Sequence, residues 1–281
     1  MRILLLSYLL SLMSCITAVA QPLVKGYNDD EDDPYETVNY FMYGANYLSN
    51  NVYLGRKDSI AAPYYTPYLG YHLKSGLYGK ATLSYSGNRR RVDLLTLEAG
   101  YEHTFGEHIN TGAAIDKFFY NKKTNSVRGN IKESAELYGQ YGNEWVQPTI
   151  CFTANFNKKT DYILGFTLDH EFKLLDKKLT IIPMVTLNAG TQHYFDDYLL
   201  AKLLKTDKTL KLTKTIADAG KFKSRDFELS TKVTYQIEKW LFTAIPTYAI
   251  PLNPNTVVFP TKTYQEKVSN SFYLELDVCH R

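Results

Sequence analysis

The sequence predicts an all-β protein, a closed antiparallel transmembrane barrel of about twelve strands. The first observation is a period-two alternation of apolar and polar residues along most of the chain after residue 40. The second is that no run of about 18 apolar residues exists beyond the N-terminus, which excludes a helical membrane protein. The 281 residues have a soluble protein's average, with 44% hydrophobic residues and a mean hydropathy of −0.30. Such an average still suits a membrane strand, because only every second residue faces lipid.

The N-terminus has the three parts of a secretory signal peptide. Arg2 supplies a positive charge, Ile3 to Leu12 is apolar, and Ala18-Val19-Ala20 is a small-residue cleavage site. Residues 1–20 are therefore predicted to be removed after export. Lipoprotein processing at Cys15 and a buried N-terminal helix are the less favoured alternatives.

Residues 21–37 are predicted to form an acidic periplasmic leader. Their run Asn28-Asp-Asp-Glu-Asp-Asp-Pro34 is typical of a solvated, disordered segment. It lacks the spaced ligands and the glycine turn of a calcium loop, so neither a metal nor a cofactor is expected. After cleavage only Cys151 and Cys279 remain. Two cysteines do not make a disulfide framework, and a bridge between them is the less favoured possibility.

The barrel itself is predicted over residues 38–281. Residues 95–102 show the pattern: Leu, Leu, Ala and Tyr alternate with Thr, Glu, Gly and Glu, so one face is apolar and the other polar. Pro67, Pro183 and Pro246 fall inside strands and predict local bulges. The predicted strands are 39–49, 62–73, 77–86, 92–105, 109–120, 133–142, 149–157, 161–173, 179–191, 225–237, 240–251 and 269–279.

The connections between these strands separate into two kinds. Those longer than six residues are all odd-numbered, as in a barrel with short periplasmic turns and long outer loops. The odd-numbered connections carry 20 basic and six acidic residues. A basic outer rim suits lipopolysaccharide phosphates, although exposed loops are also charged for solubility alone. Nucleic-acid binding is not expected, because an export signal is present and a recognition module is missing.

With these features the chain resembles bacterial outer-membrane β-barrel proteins, and most of all the uncharacterised barrels of Bacteroidota-type bacteria. The resemblance is carried by the cleavage site, by dyad repeats such as residues 95–101, and by the alternating terminal strand 272–278. It implies an outer-membrane location, contact with lipid and lipopolysaccharide, and insertion by the barrel-assembly machinery. The chain ends Cys279-His280-Arg281, whereas such proteins commonly end on an aromatic residue. The resemblance carries no active-site motif.

The polar face of the strands is rich in carboxylates. Nine acidic residues and two lysines fall on the inward register. They favour either a water-filled, cation-preferring passage or an interior filled with ion pairs and tyrosine hydrogen bonds. The side chains predicted to line the lumen are Lys80, Glu98, Asp116, Glu136, Asp169, Glu228 and Lys232.

The longest connection, residues 192–224, contains an apolar cluster that does not suit free solvent. Tyr194, Phe195, Tyr198 and Leu203 are its candidate residues. They predict a constriction, a ligand site or a cap over the barrel mouth. The alternative for Leu210-Lys211-Leu212 is an extension of the flanking strands into a hairpin.

Tyrosine is abundant, with 24 residues, and two locations are predicted for it. An apolar ring with a polar tip suits the headgroup layer at strand ends. Inward tyrosines instead can bond to lumen carboxylates. The first group is Tyr71, Tyr85, Tyr101, Tyr120, Tyr162 and Tyr248, and the second is Tyr78, Tyr138 and Tyr273.

The chain is not expected to be an enzyme. It has neither a Gly-x-Ser-x-Gly elbow nor a His-Glu-x-x-His helix, and five of six histidines are interpreted as interfacial or loop residues. His193 is the exception worth testing. The predicted function is a porin-like channel for passive passage of small solutes or ions. The alternative is a non-conducting surface or assembly component that binds a partner through basic loops. The oligomeric state is left open.

Overall fold

A computed structural model describes residues 38–57, 63–124, 126–195, 198–199, 220–258 and 263–281. Twelve long strands form one antiparallel sheet in which each strand pairs with its neighbours in sequence. The predicted signal peptide and leader lie outside the described residues. The strands are β1 Tyr40–Leu48, β2 Tyr64–His72, β3 Leu77–Ser86, β4 Arg91–Phe105, β5 Ile109–Tyr120, β6 Glu133–Tyr141, β7 Gln147–Phe156, β8 Asp161–Asp169, β9 Leu179–Gly190, β10 Lys223–Ile237, β11 Trp240–Pro251 and β12 Ser271–His280.

The sheet closes on itself, which confirms the predicted barrel. β1 pairs with β12 from Tyr43 opposite His280 to Leu48 opposite Glu275. A closed sheet has no unpaired edge, so the backbone can satisfy its hydrogen bonds without water. Within the described part of the chain, no helix is long and apolar enough to cross a membrane.

The two ends of the barrel differ in their connections. The loop end carries residues 49–63, 87–90, 121–132, 157–160, 191–222 and 252–270. The turn end carries 73–76, 106–108, 142–146, 170–178 and 238–239. In the longest of the turn-end connections, a short strand Phe172–Leu174 continues the line of β8 and pairs with β9.

The outer face of the barrel is mostly apolar. Exposure alternates along most of the long strands, and many of the exposed positions carry large hydrophobic side chains. Tyr71, Tyr85, Tyr101, Tyr162 and Tyr248 are exposed on this face. Tyr120 is not, and the prediction for it was wrong. The last outward position of β5 is Phe119, so Tyr120 turns inward and packs on a buried cluster.

Inside the barrel, tyrosine rings lie over glycines of the neighbouring strand. Tyr78 is paired with Gly100, and Tyr138 with Gly112. A Cβ atom added to Gly100 would lie 2.3 Å from the Tyr78 hydroxyl, and one added to Gly112 would lie 2.2 Å from the Tyr138 ring. These positions require glycine because only a bare backbone lets the ring fold flat against the wall.

The expectation of bulges at the strand prolines was wrong. The bulges lie between Ser84 and Tyr85 and between Asn188 and Ala189, and none lies at the three strand prolines. Each proline removes only one donor, so the rest of the ladder maintains the register. Cys151 and Cys279 are both free, and they pack in separate buried clusters.

Substitution of the ring-covered glycine should destabilise the barrel. Gly112→Val is expected to lower the free energy of unfolding by about 1–3 kcal/mol through overpacking against Tyr138. Gly139→Val is the matched control, because a Cβ atom there meets nothing within 4 Å. Urea unfolding in lipid vesicles, followed by the mobility of unheated samples on gels, measures both. Equal stability of the two variants would contradict the packing.

Candidate functional site

The seven side chains predicted to line the lumen all lie on inward-facing positions. Lys80 and Glu98 are opposite each other on β3 and β4. Lys80 Nζ lies 2.5 Å from Glu98 Oε2, and their side chains are 0% and 3% exposed. A pair this buried needs good geometry, because removing two charges from water costs several kcal/mol per ion.

The other predicted carboxylates are held by hydrogen bonds or face a lysine. Asp116 accepts a bond of 2.8 Å from Ser134 Oγ, and Glu136 accepts one of 3.4 Å from Thr153 Oγ1. The Tyr273 hydroxyl donates to Glu228 at 3.5 Å. Asp169 faces Lys232 near the turn end. Their role in conduction stays a prediction.

The interior contains more charge than the strand register alone predicted. Nine carboxylates and six lysine or arginine side chains are buried among the described residues. Asp93, Asp161 and Asp226 were missed at strand ends. Arg56 and Arg128 were missed because they lie on connections, where alternation assigns no direction.

Inward-folded connections close the loop end. Buried hydrophobic side chains from these connections form a cluster, which we call the loop plug. Tyr194 and Phe195 are 1% and 4% exposed within it, and Tyr198 packs against it. Leu203 lies outside the described residues. The buried members of the plug are Tyr53, Leu54, Val127, Ile131, Tyr194, Phe195, Leu199 and Val257, which pack on Phe118 and Ile163 of the wall.

Aromatic contacts tie the connections of the plug together. The rings of Tyr53 and Tyr194 meet edge to face at 5.0 Å. The Arg128 guanidinium lies 4.5 Å from the centre of the Tyr53 ring. Asn155 on β7 donates a 2.7 Å bond to the Tyr53 hydroxyl. Burial raises the pKa of Tyr53 to about 12, so the phenol is neutral at physiological pH.

A buried polar network, which we call the arginine latch, crosses the same end. Arg225 donates to Gly190 O at 2.6 Å, to Gln192 Oε1 at 3.0 Å and to Lys221 O at 2.8 Å. Asn255 Nδ2 donates to the same Gln192 oxygen at 2.9 Å. The latch therefore joins the connection after β9 to the one after β11.

Arg56 extends the arginine latch to the connection after β1. Its Nη1 donates to Arg225 O at 2.7 Å and its Nη2 donates to Leu252 O at 2.9 Å. Its Nε lies 3.4 Å from Glu266 Oε1. Glu266 also accepts a 2.9 Å bond from the backbone of Asn255. Three connections are thus held together by charge-assisted hydrogen bonds.

Asp161 fixes the short 3₁₀ turn His193–Phe195. Its carboxylate accepts bonds of 2.7 Å from the backbone N–H groups of His193 and Tyr194 and from the Thr191 hydroxyl. This capping holds Tyr194 in the plug. Burial lowers the pKa of the His193 ring below its usual value. Residue 193 thus has a structural role through its backbone.

The interpretation of His72 as an interfacial or loop residue was wrong. It lies inside the barrel, stacked between Tyr40 and Tyr78 with ring centroids 5.2 Å away on each side. Its Nε2 is 3.8 Å from Glu102 Oε2. His72 is the last residue of β2 and occupies an inward-facing position, so its ring lies inside the barrel. In the described residues no His, Cys, Asp or Glu group is arranged to hold a metal ion.

A small cavity lies beneath the loop plug. It has a volume of about 30 Å³ and its lining includes Tyr64, Asp93, Ser126 and Arg128. Asp93 accepts bonds from Tyr64 at 3.1 Å and from Thr124 at 2.8 Å. The cavity has room for about one water molecule, so it is no continuous passage.

Comparison with known proteins shows the fold. No family model matches the chain, and no curated protein matches it. A KdgM porin has a TM-score of 0.50 at 9% identity, covering 85% of this chain and 98% of that one. A NanC porin has a TM-score of 0.46 at 8% identity, covering 86% and 100%. LpxR from Salmonella typhimurium has a TM-score of 0.43 at 10% identity, covering 85% and 99%. The chain shares the architecture of outer-membrane β-barrels.

Removing one partner of the buried Lys80–Glu98 pair should be costly. Lys80→Met leaves an uncompensated carboxylate, and a loss of about 3–5 kcal/mol in the free energy of unfolding is expected. Lys80→Met combined with Glu98→Leu should recover most of that loss. Urea unfolding measures the free energy of unfolding of both variants. A double variant as unstable as Lys80→Met would contradict a stabilising ion pair between Lys80 and Glu98.

Arg225→Ala should loosen the loop plug without opening the barrel wall. The substitution removes the hydrogen bonds that Arg225 donates to the oxygens of Gly190, Gln192 and Lys221. We expect faster trypsin cleavage in connection 191–222, with unchanged mobility of the unheated barrel. Arg90→Ala, at an exposed arginine, is the control. Identical cleavage of both variants would show that Arg225 does not hold the plug.

Proposed function

We propose that the protein is a porin-like outer-membrane barrel that passes small cations and is kept closed by its loop plug. The observation that carries the proposal is the combination of an acidic interior with a blocked loop end. Among the described residues, nine buried carboxylates exceed six buried lysine and arginine side chains, while connections fill the mouth. Acidic linings favour cations over anions.

The outer-membrane location rests on several supports. The exposed residues of the wall are large and apolar, as lipid contact requires. The N-terminal sequence has the form of an export signal. We further propose contact with lipopolysaccharide at the basic loop end, insertion by the barrel-assembly machinery, and kinship with Bacteroidota-type barrels. Nucleic acid is not a proposed partner.

The interior is narrow in the described conformation. Thr96 on β4 and Glu228 on β10, which are six strands apart around the closed sheet of twelve, are 0% and 1% exposed. Passage therefore requires hydration of the interior as well as displacement of the loop plug. Asp169 supports such hydration, since neither of its buried carboxylate oxygens has a hydrogen-bond partner within the described residues.

The loop plug is suited to move because it is made of connections. Outside the barrel ladder, the described part of the plug is supported by two short hairpins, Val52–Tyr53 with Arg56–Lys57 and Thr256–Val258 with Thr263–Gln265. Loops with few backbone pairings open at lower free energy than the strands that carry them. The wall can remain intact while the plug leaves.

A non-conducting surface component is the second candidate. The filled interior favours it, since the Lys80–Glu98 pair and the tyrosine rings occupy the space that solute would need. In that case the basic connections would be the working surface, and a partner with acidic groups would bind there.

Planar-bilayer recordings separate the two candidates. The wild-type barrel should be closed for most of the recording, and Arg56→Ala with Arg225→Ala should raise the open fraction by roughly tenfold or more, because the arginine latch is lost. Arg90→Ala serves as the control. A wild-type barrel that is steadily open contradicts the closure. Loosened variants that stay silent contradict the channel and favour the surface component.

The same recordings also test whether the buried carboxylates make the interior prefer cations. Glu98→Gln with Asp169→Asn should shift the reversal potential in a salt gradient toward that of a non-selective pore, because two buried negative charges are removed. An unchanged reversal potential would show that these side chains do not face the conducting path.

A further inference from the structure

The outer wall carries a groove at strands β4 to β7. Its volume is about 440 Å³, and Leu97, Ala99, Ile115, Ala135 and Phe156 contribute to its apolar lining. The register explains the depression. Ala99, Ile115 and Ala135 are paired across adjacent strands and form one row, in which the two alanines are small. In the next row toward the turn end, Tyr101 and Leu137 lie on either side of Ala113, so two large side chains border the recess on β4 and β6.

An ion pair borders the groove on its loop side. Leu97, Lys117, Glu133 and Phe156 are paired across β4 to β7 and form the next row. Lys117 Nζ binds Glu133 Oε1, and the two side chains are 44% and 51% exposed. Glu133 begins β6 and Lys117 lies three residues before the end of β5. Charges on a lipid-facing wall are costly at depth, so this row marks the headgroup level.

Lysines surround this end of the groove. Lys132 directly precedes Glu133, and Lys158 and Lys159 follow shortly after Phe156, and all three are exposed. Connections 121–132 and 157–160 contain no Asp or Glu. The acidic side chain of Glu133, at the start of β6, is engaged by Lys117. The rim therefore has an excess of positive charge, whereas the groove below it is apolar.

We propose that this groove binds one phosphorylated lipid of the outer leaflet, with an acyl chain against Ala99 and Ala135 and a phosphate at the rim lysines. The shape and charge fit this occupant: an apolar recess at hydrocarbon depth continues into a basic rim at headgroup depth. The site lies on the wall and does not depend on conduction. It rests on the proposed outer-membrane location alone.

Native mass spectrometry of the full barrel in detergent tests the site, with diphosphorylated lipid A as the probe. Wild type should retain one lipid A per barrel. Ala135→Trp fills the recess and should reduce retention roughly tenfold. Ala244→Trp, at an outward alanine on β11 away from the groove, should retain lipid A as wild type does. Equal retention by both tryptophan variants would overturn the proposal.

A second set of variants tests whether the rim lysines bind the phosphate. Lys132→Gln with Lys158→Gln should weaken retention roughly fivefold for each charge removed. Lipid A without phosphates should bind wild type as weakly as diphosphorylated lipid A binds this variant. Equal retention of the two lipids would mean ordinary lipid contact and would overturn the site. Unheated gel mobility verifies folding, and a silent bilayer would leave these outcomes unaffected.

Discussion

The structure depends on the hydrogen-bonded pairing of β1 with β12. That pairing removes the last sheet edges and gives every strand two neighbours. Once the sheet is closed, successive side chains along each strand point alternately into the barrel and away from it. An apolar exterior and a polar, charged interior follow from this one closure. A register slip of one residue anywhere in the sheet would place carboxylates such as Glu98 in lipid.

The closed interior creates an electrostatic problem that the strands do not solve alone. Within the described residues, Lys80 and Lys232 are the buried cations contributed by residues in the middle of strands, too few for the carboxylates around them. The arginines at the loop end add compensating charge, and the connections that carry Arg56 and Arg128 fold inward to do so. The plug and the electrostatic balance are therefore one feature: Arg56 and Arg225 hold the same connections that carry Tyr53 and Tyr194 into the mouth.

The loop end combines two surfaces with different tasks. Its inward side is buried and specific, with Asp161 capping the turn that carries Tyr194. Its outward side is basic, and beside the wall groove it exposes lysines such as Lys132 and Lys158. Movement of the plug would leave the wall groove in place, because its Ala99–Ile115–Ala135 row belongs to the barrel ladder.

The sequence by itself determined the barrel, its strand number, and the inward direction of residues such as Lys80, Glu98 and Asp169. The physical reason is that alternation is a local property: in a strand, the neighbour in sequence fixes which face a side chain takes. Tyr120 and His72 show the limit at strand ends, where a difference of one residue decides between the membrane interface and the interior. Alternation carries no information about connections, so Arg56 and Arg128 could not be assigned inward. Only the closed sheet brought residues 56, 192, 225, 255 and 266 together, because their contacts span long sequence separations and depend on the mouth they fill.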